Sequence, residues 1–331
     1  MRRSPLPVLV VLLATLALAA CHKDKQEKLV EAGASPQVAV ETALQDVRQG
    51  HLDDLYRHLL PPADYQALRD SWARRHAAAE GKVSAKERKQ FADLMQAWTA
   101  PDAKKTQFAK LEPKLDAWET DGKRQLPMLV GVMRMMAGSQ ITQSKTLEPA
   151  QKTQLRSLVE ALAGWINDTD WGDKEHARKA VGVLVDTARA LDIQTLDDVY
   201  ALDYDGAMDR YATAWKGTRK LLDIYGLSLD QVLDSAKVDV LDQQADKATV
   251  KVTWRVLDQP MQGTLEMVRK GKRWYAVDAL TWWHRQQQKL APATSGTATP
   301  GTAGSVAVPG SAAVAGSAPA ASAAPAGSAG Q

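Results

Sequence analysis

Between residues 36 and 235 the apolar positions recur every three to four residues, the spacing of one face of an α-helix. Val40, Leu44 and Val47 form such a stripe behind the start signal Ser35-Pro36, and Gly50 stops it. Leu52, Leu55, Tyr56 and Leu59 form the next, ended by Pro61-Pro62, and Tyr65, Leu68 and Trp72 begin a third. Phe91, Leu94, Met95 and Trp98 predict a helix closed by Pro101. Phe108, Leu111, Leu115 and Trp118 continue the pattern, with Pro113 expected to kink it. Further faces run through Leu155, Leu158, Val159, Leu162 and Ile166, then Ala177, Val181, Leu184, Ala188 and Leu191, then Met208, Tyr211, Trp215 and Leu222. Gly226 reads as a C-cap and Ser228 as the next N-cap. Helices of this kind are not stable singly and must bury their stripes against one another.

After Ser235 the period changes to two. Val238 and Val240 flank Asp239, and Ala248, Val250, Val252, Trp254 and Val256 alternate with Thr249, Lys251, Thr253 and Arg255. Leu265 and Met267 follow, then Lys270-Gly271-Lys272 as a tight turn, then Trp274 to Val277. Four strands joined by short turns predict an antiparallel meander with one apolar face. Trp282, Trp283 and His284 start a closing polar helix. The fold class is therefore α+β: a mostly helical domain over 36–235, then a C-terminal four-stranded antiparallel meander with its closing helix over 236–290. An echo links Leu52-Asp53-Asp54-Leu55-Tyr56 to Leu196-Asp197-Asp198-Val199-Tyr200. Either a duplicated helical unit or coincidence between amphipathic helices accounts for it.

The two ends of the chain have a different character. Arg2 and Arg3 precede an apolar run from Leu6 to Leu18, too short for a spanning helix and patterned as a secretory signal over residues 1–20. The run closes on Leu18-Ala19-Ala20-Cys21, which resembles the lipobox of bacterial lipoproteins. That resemblance implies a thioether-linked diacylglyceryl group on Cys21, cleavage before it, and acylation of the new amine. His22, where an Asp would favour retention in the inner membrane, implies an outer-membrane, periplasm-facing protein. Residues 21–35 then form the lipidated Cys and a polar spacer. From Ala291 to Gln331 no charged or aromatic residue occurs, and almost everything is Ala, Gly, Ser, Thr or Pro. Such a segment cannot bury enough apolar surface to offset its chain entropy, so 291–331 is expected to be a disordered tail.

A second resemblance concerns the folded part. Ser35-Pro36, Ala39-Val40 and the run Gln49 to Tyr56 are similar to the opening helices of nuclear-transport-factor-2-like lipoproteins. Gly271-Lys272-Arg273-Trp274-Tyr275-Ala276-Val277-Asp278 is similar to that family's last hairpin. The resemblance implies a cone-like fold with a pocket, into which a large helical insertion has been placed.

Composition narrows the chemistry. The 42 Lys+Arg and 39 Asp+Glu nearly cancel, which removes a polybasic nucleic-acid binder as a starting point. The single Cys removes an intrachain disulfide and any multi-Cys metal site. Of the six His, only His51 and His58 are close enough to share a helical face, and they are read as surface or structural residues. Asn167 to Glu175 is acidic and contains Gly172, but a calcium-loop register fails at Trp171 and Arg178, so it reads as a cap for the helix starting near Asp173. Met128, Met133, Met135 and Met136 sit among Leu129, Val130 and Val132; Cu(I) binding is possible chemistry for thioethers, and core packing is the expected role. No nucleophile elbow, phosphate loop or dinucleotide fingerprint occurs.

Residues 190–245 carry 11 acids against 5 bases, and 246–290 carry 9 bases against 4 acids, either to steer a partner or to draw two faces of one domain together. Ten Trp against two Phe is lopsided, and five aromatics gather near the C-terminal end of the folded part: Trp254, Trp274, Tyr275, Trp282 and Trp283. They are the candidate partner or ligand contacts, because large aromatics are enriched at interfaces. Trp282 and Trp283 are adjacent and cannot both point inward. The expected function is that of a non-catalytic binding or scaffold protein, held to the membrane by the lipid on Cys21. Its partner would be an envelope protein or a small apolar ligand, with no nucleic acid, cofactor, metal or catalytic residue. The alternatives are a small-ligand carrier with a cone-like pocket and an envelope hydrolase.

Overall fold

The computed structural model describes residues 31–80, 83–145 and 147–290. The signal segment 1–20, Cys21, most of the 21–35 spacer and the 291–331 tail lie outside the described residues.

Local signals place the first helices. Ser35 accepts a hydrogen bond from the Val38 amide and Pro36 occupies the first turn, which opens α1 (Pro36–Gln49). Gly50 closes it at φ 73°, a left-handed cap whose N–H reaches the Asp46 and Val47 carbonyls. Helix α2 (Leu52–Leu59) has Asp53 and Asp54 in its first turn and Arg57 and His58 in its last, each complementing the helix dipole. Leu60 is extended, as a residue before proline must be, and α3 (Pro62–Glu80) then restarts. A reciprocal capping box between Ser84 and Glu87 begins α4 (Ala85–Thr99).

Helix α5 (Ala103–Ala117) runs on through Pro113, passes into a π-helical turn over Trp118–Gly122 and continues as α6 (Lys123–Gln143). The irregularity expected at Pro113 therefore lies past it. Trp118 lies over Gly122, where a Cβ would stand 2.2 Å from the ring, and the Lys123 amide reaches back to the Trp118 carbonyl. The three segments make one rod of roughly 60 Å at 1.5 Å per residue. Helix α7 (Pro149–Asp168) packs back along α6. Asp173 caps α8 (Lys174–Leu191) by accepting from the His176 amide at 2.6 Å, the role read for the acidic loop. The buried face of α8 is Ala177, Ala180, Val181 and Val185; Leu184 points outward. Short α9 (Leu196–Ala201), long α10 (Tyr204–Ile224) and short α11 (Leu229–Asp234) complete the helical part. The two Leu-Asp-Asp segments open α2 and α9, and each short helix packs on the long helix that follows the other: α2 on α10, α9 on α3.

The sheet is a four-stranded antiparallel meander in sequence order: β1 (Lys237–Gln243), β2 (Lys247–Val256), β3 (Gln259–Lys270) and β4 (Arg273–Ala276). Leu257 and Asp258 both have positive φ, which matches the turn twist a two-residue hairpin demands. Gly271 at φ 64° supplies the β3–β4 turn. A bulge between Val240 and Asp242 interrupts edge strand β1. The other edge is occupied: the Trp274 amide donates to the Gly33 carbonyl at 3.0 Å. Where β4 is too short to cover β3, the Gln154 side-chain amide from α7 takes its place, donating to the Gln262 carbonyl at 2.7 Å and accepting from its amide at 2.9 Å. The chain returns to helix at Val277 rather than Trp282, forming α12 (Val277–Leu290).

Three apolar clusters hold these pieces. Val40 of α1 packs on the inward side chains of the sheet, Val238, Ala248, Val250, Val252, Met267 and Trp274. Leu60, Tyr65, Leu68, Tyr204, Met208 and Trp283 join α3, α10 and α12. Phe108 and Leu115 of α5 meet Ala177, Val181 and Val185 of α8.

Candidate functional site

The aromatic end foreseen as a contact surface is largely interior. Trp274 and Tyr275 are each 3% exposed and Trp283 is 1% exposed, so these three offer a partner no surface, a correction to the expectation. The reason is that β4 is covered on its edge by the segment around Gly33 and on its faces by α1 and α12. Trp283 lies in the α3–α10–α12 cluster, and its indole N–H donates to Asp64 Oδ1 at 3.1 Å. Trp282 is half-buried and stacks on Tyr56 with ring centroids 6.1 Å apart. Trp254 is half-buried beside Gly263 on the facing strand. Of the adjacent pair, Trp283 is fully buried, and Trp282 packs half-buried against the same cluster.

Beside this cluster lies a network of charges between α2, α3 and α10. Arg57 and the Tyr65 hydroxyl both donate to Asp53, and Arg69 makes a two-point contact to Asp205 at 2.6 and 2.7 Å. The Arg69 contact holds the Asp205 carboxyl below its usual range. Burial, with the Asp53 charge adding to it, pushes the Tyr204 phenol far up, so it stays neutral. Asp46, buried in α1, accepts from His58 Nδ1 at 2.6 Å and ties α1 to α2. Arg273 is buried beneath, donating to the Arg57 and His58 carbonyls at 3.2 and 3.1 Å and lying 5.0 Å from the Tyr275 ring centroid. Burial lowers its pKa. Apart from Arg57–Asp53 within α2 and Arg273–Tyr275 within β4, these contacts close a helix end or fasten two elements. Among the described residues no hydroxyl hydrogen-bonds to His58, and no three His, Cys, Asp or Glu side chains are placed to hold a metal ion.

An open cleft of about 560 Å³ lies between α1, α11 and β1. Its rim is Glu41, Gln45, Arg48, Asp234 and Lys237, and Arg48 pairs with Asp234 at 2.6 Å across it. The volume would hold a small molecule, but the cleft is open and its lining is as polar as it is apolar, whereas a carrier site is mostly apolar and encloses its ligand. No helix among the described residues is long and apolar enough to cross a membrane.

The most unusual surface is on α6. Met128, Leu129, Val132, Met133, Met135 and Met136 are between 44% and 71% exposed, which overturns the core role read for the methionines. At about 100° per residue they cover roughly 160° of the helix, and the apolar arc continues into the side facing α7. That side is Val130, buried, with Leu126, Ala137 and Ile141 half-buried. Cations near the ridge are engaged: Arg134 pairs with Glu160 at 2.7 Å, Arg124 with Asp121 at 2.7 Å, and Lys123 with Glu119 at 3.5 Å.

No known protein family, curated protein or solved structure matches this chain.

An apolar patch of this size is uncommon on a protein that works alone, and such patches mark interaction sites. The sequence signal was present as an apolar arc wider than half a turn. The same signal describes a helix buried on all sides, and only the packing separates the two.

Proposed function

We propose that this chain is an outer-membrane-anchored, periplasm-facing lipoprotein that works as a non-catalytic binding or scaffold protein of the envelope. The observation that carries the binding part is the exposed methionine-rich face of α6. Met is flexible and polarizable, and surfaces built from it adapt to a partner's shape. The charged groups around α2 support the same reading, since the bonds of His58, Arg69 and Arg273 are taken up in joining α1, α2, α3, α10 and β4. The anchor rests on the Leu18-to-Cys21 lipobox likeness; each buried acyl methylene contributes about 0.8 kcal/mol, so several chains hold a protein durably. The likeness of residues 35–56 and 271–278 to nuclear-transport-factor-2-like lipoproteins belongs to this reading as well. It is supported by α1 lying on the sheet, with the long helical stretch between the matched parts as an insertion.

Two experiments test it. Cys21→Ser is expected to abolish incorporation of a radiolabelled fatty acid in growing cells; a variant that still carries label refutes the anchor. Cross-linking of intact envelopes is expected to attach the chain to a protein partner, with at least a tenfold loss of the adducts made through α6 in Met128→Lys/Met136→Lys. Adducts that are unchanged in that variant sink the binding role of α6. A small molecule co-purifying with the chain, with no cross-linked protein, would favour the carrier.

A further inference from the structure

We infer that the exposed face of α6 is the contact between two copies of this chain, which pair their α6–α7 hairpins across a two-fold axis into a four-helix arrangement. The inference rests on the binding role proposed for that face and names its occupant.

The first argument is area. Six large side chains at roughly 100 Å² of exposed surface each give on the order of 600 Å² per copy, the upper end of what a solitary protein usually shows. Two such faces bury about 1,200 Å², the lower limit of a specific, lasting interface. The second is self-complementarity. A two-fold contact sets a patch against itself, so an unpaired charge in it would meet its like. This face has none: Arg134, the one charged residue between Met128 and Met136, is turned to Glu160 on α7. The third is incompleteness. The stripe of α7, Leu155, Leu158, Val159, Leu162 and Ile166, is only partly buried by α6, and one hairpin cannot bury apolar stripes that continue around both helices. Two hairpins can, and that is the ordinary four-helix solution.

A lipid surface fits less well as occupant. Helices that lie on membranes carry free Lys and Arg on the polar side and Trp or Phe on the other. Here the cations nearest the ridge are paired, and the ridge holds no aromatic residue. Anchoring by the proposed lipid would also confine two copies to one plane and raise their effective concentration.

The test uses two full-length copies bearing different tags, co-expressed, cross-linked in the intact envelope and recovered through one tag. The second tag is expected to co-purify. Val132→Glu in both copies lowers its recovery at least tenfold, and so does Val132→Lys in both. Val132→Glu in one copy with Val132→Lys in the other restores it, because opposite charges then meet across the axis. Leu94→Glu, at an exposed leucine on α4, leaves recovery unchanged and controls for a general loss of apolar surface. Retained pairing in the Val132→Glu copies, no pairing in the unmodified chain, or no rescue by mixing overturns the inference. No pairing in the unmodified chain, with adducts to other envelope proteins retained, would refute the second copy alone. Pairing with no other protein attached would refute the scaffold role alone.

Discussion

Replacing Trp283 by Ala is expected to cost about 3–5 kcal/mol of unfolding free energy, the usual price of removing a large aromatic from a packed interior. The indole is 1% exposed and is shared by three elements, with Leu60, Tyr65, Leu68, Tyr204 and Met208 around it. The cavity would open where α3, α10 and α12 converge, and no single helix can move to fill it without leaving the other two. The Asp64 carboxylate would also lose the indole N–H that now donates to it at 3.1 Å. Trp283→Phe keeps an aromatic ring and gives up the hydrogen bond, so it should lose about half as much. Urea unfolding of the two variants beside the unaltered chain measures both. A cost below about 1 kcal/mol for the alanine variant would mean that the site collapses freely or that this cluster is not a stable core.

Arg273→Ala is the second large effect, at about 3 kcal/mol. The side chain is buried, and its guanidinium donates to the Arg57 and His58 carbonyls, two of the acceptors that the end of α2 leaves without helical partners. Hydrogen bonds from a charged group are each worth about 1.5–3 kcal/mol, and here they are offset by the cost of burying the charge. That cost is visible in the lowered Arg273 pKa. Lysine carries a compact charge in place of a planar fork, so Arg273→Lys should recover less than half of the loss. Urea midpoints at neutral pH test this. Equal stability of all three proteins would show that burial of the guanidinium cancels what its hydrogen bonds contribute.

The architecture was legible wherever periodicity and punctuation agree. The stripe from Val40 to Val47 between Ser35-Pro36 and Gly50 is α1, and the alternation from Ala248 to Val256 is β2 with its even-numbered side chains inward. Boundaries suffered where two patterns overlap. Trp274 to Val277 reads as alternation, yet Val277 begins a helix with Asp278 in its first turn. Pro113 does not stop α5, since packing of Phe108 and Leu115 on α8 outweighs one missing hydrogen bond.

The site was less legible, because aromatic composition says how much apolar area a residue has and nothing about where the fold puts it. Trp274, Tyr275 and Trp283 have the residue types of an interface and the positions of a core. Met128 to Met136 is the reverse case: the composition of an interior on the open side of a rod. Exposure at both places is decided by partners far away in sequence, such as Gly33 against Trp274 and Asp64 against Trp283, which no local window contains.

The cluster around Trp283 also sets an order of events. It gathers side chains near residue 60, near residue 204 and at residue 283, and the sheet cluster likewise needs Val40 together with strands that come some two hundred residues later. Contacts of such separation form slowly, since the loop must close before they repay it. Helices α5 and α8 can find each other earlier, and α3 can meet α10, but the cluster they share with α12 is completed only when Trp283 arrives. The centre of the fold is thus completed by one of the last side chains in the described chain.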